Sequence, residues 1–123
     1  MKTVLTVDDS RVARTAIAHV LSTWGCRVLE ARDGREGVAV ARLTRPDLII
    51  LDLMMPEMSG MDLFEEIKRI APELAPRCGF LTGGVFTAQA RAFLDALPPG
   101  YLLEKPFDRA TVHQMFQRLV QAK

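Results

Sequence analysis

Leu48-Ile49-Ile50-Leu51-Asp52 sets four apolar residues in a row, without alternation, and ends them on a carboxylate. Such a run suits a central strand covered on both faces, since a half-exposed strand alternates apolar and polar residues. The neighbouring sequence supplies what would cover it. Upstream, Val4-Leu5-Thr6-Val7 is a second short run, ending in Asp8-Asp9, and Arg27 to Ala31 is a third. Downstream, strands are expected near Gly79-Phe80-Leu81-Thr82 and at Tyr101-Leu102-Leu103.

Helical patterns fill the gaps. Ser10 can cap a helix with Ala13, Ile17, Val20, Leu21 and Trp24 on one face, closed by Gly25. Asp33-Gly34 reads as a turn before a less regular helix that runs to about Leu43, and Pro46 restarts the chain. Leu53 to Gly60, with Pro56, Ser59 and Gly60, reads as a loop into a helix carrying Leu63, Ile67 and Ile70, which Pro72 and Pro76 end. After the turn Gly83-Gly84 come Ala90, Phe93, Leu94 and Leu97 at helical intervals, stopped by Pro98-Pro99-Gly100. Asp108 can cap a last helix on Val112, Met115, Phe116 and Leu119. Strand and helix thus alternate through one expected domain, residues 1–123, an α/β fold of five βα units. Since about eight units are needed to close a barrel, a doubly wound open parallel sheet is favoured.

Sixteen basic and fifteen acidic residues nearly cancel, so no global charge draws the chain directly to DNA or to an anionic membrane. The longest apolar runs are only a few residues, and Met1-Lys2-Thr3-Val4-Leu5 lacks a leader's apolar stretch, so a cytoplasmic location is expected. Cys26 and Cys78 match no metal or redox spacing and read as buried free thiols.

Ligands of open α/β sheets bind at the strands' carboxyl ends. Asp8, Asp9, Asp52, Thr82 and Lys105 all fall there. Three gathered carboxylates repel one another unless a hard divalent cation neutralises them, and Mg²⁺ suits that demand. A hydroxyl and an ammonium opposite the metal could then bind oxygens of a phosphoryl group on Asp52. Taken singly, each feature has a plainer reading: Asp8-Asp9 could only cap a helix, Gly83-Gly84 could be an ordinary turn, and His19 reads as a rim residue.

Together, Val7-Asp8-Asp9-Ser10, Leu51-Asp52-Leu53-Met54-Met55-Pro56-Glu57-Met58-Ser59-Gly60, Leu81-Thr82-Gly83 and Lys105-Pro106-Phe107 resemble the signature set of bacterial response-regulator receiver (CheY-like) domains. In style, Leu81-Thr82-Gly83-Gly84 and Leu103-Glu104-Lys105-Pro106-Phe107 are most similar to receivers of hybrid sensor kinases. The resemblance implies the flavodoxin-like strand order 2-1-3-4-5 and Asp52 as phosphoacceptor. It implies Mg²⁺ held by Asp9, Asp52 and the backbone carbonyl of Met54, with Asp8 either a direct ligand or the holder of a metal-bound water, and with Thr82 and Lys105 on the phosphoryl oxygens. It also implies a cis Lys105-Pro106 peptide. A histidine kinase or phosphotransfer protein, or a small acyl phosphate, would be the donor. The output partner would be a protein, met by the fourth helix, fifth strand and fifth helix, a face through which a weak homodimer is also allowed. The domain would be a signalling module rather than an enzyme, catalysing only its own phosphorylation and dephosphorylation.

Two segments depart from the family pattern. Leu102 stands where an aromatic residue is common, with Tyr101 one place earlier, so either a bulge restores the aromatic or the domain signals without it. Gly83-Gly84 replaces bulkier residues. A metabolite phosphotransferase of the haloacid-dehalogenase kind would place an Asp where Met54 stands, and a degenerate docking module would not need all five polar positions. The chain is either free-standing or an excised receiver. With the implied strand order, Cys26 and Cys78 begin strands about 14 Å apart, which excludes a disulfide between them.

Overall fold

The computed structural model describes residues 1–55, 57–84 and 87–122; Pro56 of the quoted motif lies outside them. Five parallel strands, β1 (Thr3–Val7), β2 (Arg27–Ala31), β3 (Leu48–Asp52), β4 (Cys78–Thr82) and β5 (Leu102–Glu104), form one sheet in the order β2-β1-β3-β4-β5. Between and after them run α1 (Arg11–Ser22), α2 (Gly34–Thr44), α3 (Gly60–Ile70), α4 (Ala88–Asp95) and α5 (Arg109–Gln121). The expected α/β architecture and strand order are both present.

Alternation along the strands sorts the core into two layers. Val4, Leu48 and Ile50 face α1 and α5, where they meet Ile17, Leu21, Val112, Met115 and Leu119. Leu5, Val7, Ile49 and Leu51 face the opposite way, onto Ala41 of α2, Leu63 and Ile67 of α3 and Ala90 of α4. β3 is buried along its whole length, which is why its sequence does not alternate. On the α3/α4 side, Phe64, Phe80 and Phe93 meet edge to face, with ring centroids 5.0–6.0 Å apart.

Local chemistry fixes the helix starts. Side chains of Ser10, Asp33, Ser59, Thr87 and Asp108 each accept a backbone N–H three residues on, and Asp108 with Thr111 completes a capping box. Gly25 lies beyond α1 at φ +79°, a conformation that favours glycine.

Four expectations are corrected. Asp33-Gly34 is no separate turn: Asp33 caps α2 and Gly34 begins it. Pro72 to Arg77 do more than end α3, forming a short 3₁₀ helix that buries Leu74. β5 begins at Leu102, one residue later than expected. Cys26 precedes β2 and is only half-buried, whereas Cys78 is buried as expected and both thiols are free. His19 is exposed, in keeping with a rim residue.

Candidate functional site

The sheet brings the acidic residues to one edge. Val7 of β1 pairs with Leu51 of β3, so Asp8 and Asp52 leave adjacent strands side by side. Backbone bonds continue past the strand ends: Asp8 N–H donates to the Ala31 carbonyl at 3.1 Å, Leu53 N–H to Leu81 at 2.8 Å and Lys105 N–H to Thr82 at 2.8 Å. Gly60 folds the following loop back onto β3. Its N–H donates to the Leu53 carbonyl at 2.9 Å, and a Cβ there would strike the Asp52 carbonyl.

Asp8, Asp9 and Asp52 each offer a carboxylate oxygen, all within 4.8 Å of one another. Asp8 and Asp52 are buried and Asp9 is exposed. Asp8 Oδ1 accepts the Ser10 N–H at 2.8 Å, and Asp52 Oδ1 accepts the Met54 N–H at 3.3 Å. Lys105 Nζ lies 3.0 Å from Asp8 Oδ2 and 3.5 Å from Asp52 Oδ2, and its peptide with Pro106 is cis.

Burial, and then the facing Asp8 carboxylate, push the Asp52 carboxyl up to about 7, against the pull of Lys105 and of the Met54 N–H. Burial alone would lower Lys105, but the Asp8 and Asp52 carboxylates outweigh it and hold the ammonium above its ordinary value. One lysine therefore does not neutralise the cluster. A divalent cation would, and these oxygen donors fit a hard ion such as Mg²⁺.

Thr82 is also at the edge, but its hydroxyl is turned into its own loop. It donates to the Gly84 carbonyl at 2.8 Å and accepts the Gly84 N–H at 3.1 Å. Leu102 packs against the core layer on the α4 side, as Phe93, Leu94 and Leu97 also do, whereas Tyr101 packs on the α5 side and its hydroxyl donates to the Pro76 carbonyl at 3.3 Å. No bulge restores an aromatic at the position of Leu102.

One residue of the site escaped the sequence reading. Arg14 of α1 donates from Nη1 to the Asp8 carbonyl at 2.7 Å and from Nε to Glu30 Oε1 at 3.2 Å. Its place in the first turns of the helix after the acidic pair was the available signal, but helical periodicity gives no weight to a polar residue there.

The family model of the response regulator receiver domain matches residues 4–117. The chain belongs to this family. Response regulator MprA of Mycolicibacterium vanbaalenii is 35% identical over 104 residues, covering 85% of this chain and 44% of that protein. Chemotaxis protein CheY of Thermotoga maritima is 39% identical over 72 residues, 58% of this chain and 60% of that protein. This receiver therefore spans less than two thirds of the length of either curated relative. The structure of Vibrio cholerae CheY4 superposes with a TM-score of 0.83 at 32% identity, over 97% of this receiver and 98% of that chain. Receivers are signalling modules of two-component systems, and the acidic cluster lies where this receiver's strands converge. Among the described residues, no helix is long and apolar enough to cross a membrane.

Proposed function

We propose that Asp52 accepts a phosphoryl group from the phosphohistidine of a histidine kinase or phosphotransfer protein, or from a small acyl phosphate. The carrying observation is the cluster itself: three carboxylates within 4.8 Å, two of them bridged by Lys105 Nζ. A carboxylate oxygen of Asp52 bonds to phosphorus as the donor's bond breaks: from phosphohistidine the phosphorus–nitrogen bond breaks and the leaving imidazole nitrogen takes a proton from solvent, and from an acyl phosphate the phosphorus–oxygen bond breaks and a carboxylate leaves. Asp8, Asp9, Asp52 and the Met54 carbonyl would hold Mg²⁺. When bound, the ion neutralises the carboxylates and the charge on the transferring phosphoryl group.

The remaining residues act on the product. Lys105, already beside Asp52, turns its ammonium onto the new phosphoryl oxygens. Thr82 can donate to a phosphoryl oxygen only by releasing the Gly84 carbonyl, so the chemistry pulls directly on the loop before α4. α4 is the helix best able to respond, since of its residues only Ala90 is buried. The output surface on this reading is α4, β5 and α5, meeting a protein partner or weakly a second copy. The chain acts in the cytoplasm as one receiver over residues 1–123 and catalyses no reaction beyond its own phosphorylation and dephosphorylation.

Beryllofluoride with Mg²⁺, followed by amide NMR, tests the reading. Shifts are expected at Thr82, Gly84, Lys105, α4 and β5. Shifts confined to residues 52–55 would leave Asp52 as an acceptor but remove the switch.

A further inference from the structure

We propose that Arg14 is a positioning residue, holding the turn between β1 and α1 so that Asp8 and Asp9 present their carboxylates to the cation. The Arg14 side chain is only 11% exposed, and arginine is rarely buried unless its donors are used. One donor goes to the Asp8 carbonyl and another to Glu30 on β2. The Asp8 N–H continues the β1–β2 ladder through Ala31, but its carbonyl lies where the chain leaves the sheet, and Arg14 supplies the partner there.

Asp8 is thus held at its main chain by Arg14, at Oδ1 by the Ser10 N–H and at Oδ2 by Lys105. Of these, the Arg14 bond alone occupies no carboxylate oxygen. The Arg14 guanidinium binds the Asp8 carbonyl and Glu30, so it leaves the acidic cluster's carboxylate oxygens free for an ion, and its charge-assisted bond fixes the backbone that carries Asp8 and Asp9. Glu30, 43% exposed, aims the guanidinium from the neighbouring strand.

This inference rests on the Mg²⁺ reading above and deepens it. The test is Mg²⁺ affinity by calorimetry, with hydrogen exchange of the Ser10 amide as a local readout, on the full chain. Arg14→Met should weaken Mg²⁺ binding by about tenfold and speed exchange at Ser10, and Arg14→Lys should recover part of the loss. Glu30→Gln should weaken binding by roughly threefold and have little further effect in the Arg14→Met background. Arg109→Met is the control, because Arg109 also ties α1 to a neighbour, through Thr23 and the Trp24 ring, away from the acidic edge. Its affinity should match the wild type. Unchanged affinity in Arg14→Met, or an equal loss in Arg109→Met, would overturn the positioning role alone. If Arg14→Met does not fold, unchanged affinity in both Arg14→Lys and Glu30→Gln overturns it. Failure of the wild type to bind Mg²⁺ overturns both this role and the reading beneath it.

Discussion

Replacing Asp52 by Asn should stabilise the metal-free receiver, and by an amount that depends on pH. Burial and the Asp8 carboxylate displace the Asp52 carboxyl from its ordinary 3.8 to about 7. The folded protein then holds a proton at Asp52 that the unfolded chain releases between those values. Wild-type stability therefore falls as pH rises through that window and levels off above it. Asn carries no titrating group, so the variant loses this slope. Carried wholly into stability, at about 1.36 kcal/mol per pH unit, the displacement has a ceiling of roughly 4 kcal/mol. Solvent reaches the site at the exposed Asp9, and Lys105 loses one of its two partners in the variant, so about 1–3 kcal/mol is expected at pH ~8 and little at pH ~4. Urea unfolding in EDTA at both pH values measures the difference. A variant no more stable than wild type at the higher pH, or a gain that is the same at both, would refute the argument that the cluster carries uncompensated negative charge.

Thr82→Ala should leave phosphorylation of Asp52 largely intact while weakening the shifts in α4 and β5, as read by NMR with beryllofluoride, because the loop loses the hydroxyl that couples it to the phosphoryl group. Gly60→Ala should cost about 2–3 kcal/mol in urea unfolding, since a Cβ there meets backbone atoms of Asp52 and Leu53 rather than a flexible side chain. In the native protein, Ellman's reagent should modify half-buried Cys26 first. Cys78, whose thiol burial pushes up to about 12, should react only on unfolding, and a single fast phase for both would contradict its placement.

The architecture could be read from the sequence because its strongest signals are local. The unbroken apolar run Leu48 to Leu51 marks a strand covered on both faces, and Ser10 and Asp108 mark helix starts with their own side chains. The four polar segments fell at the carboxyl ends because strand ends are short-range features too. What the sequence hid depends on contacts between distant segments. Gly34 reads as a turn residue, yet it opens α2 where a Cβ would collide with Met58. Pro72 and Pro76 read as breaks, but Pro72 stands in the first turn of a 3₁₀ helix, where it gives up no helical bond. Arg14 was missed because its partners are six and sixteen residues away, and no periodicity encodes them. The turn of the Thr82 hydroxyl onto Gly84 is likewise a loop geometry that composition leaves open.

Intact-protein mass spectrometry after incubation with acetyl phosphate decides whether Asp52 takes up a phosphoryl group. The wild type is expected to gain the mass of one phosphoryl group when Mg²⁺ is present and none in EDTA. Asp52→Asn, compared over the same period, should gain none under either condition. A wild type that stays unmodified with Mg²⁺, or an Asp52→Asn variant that is modified as fast as wild type, would contradict the account.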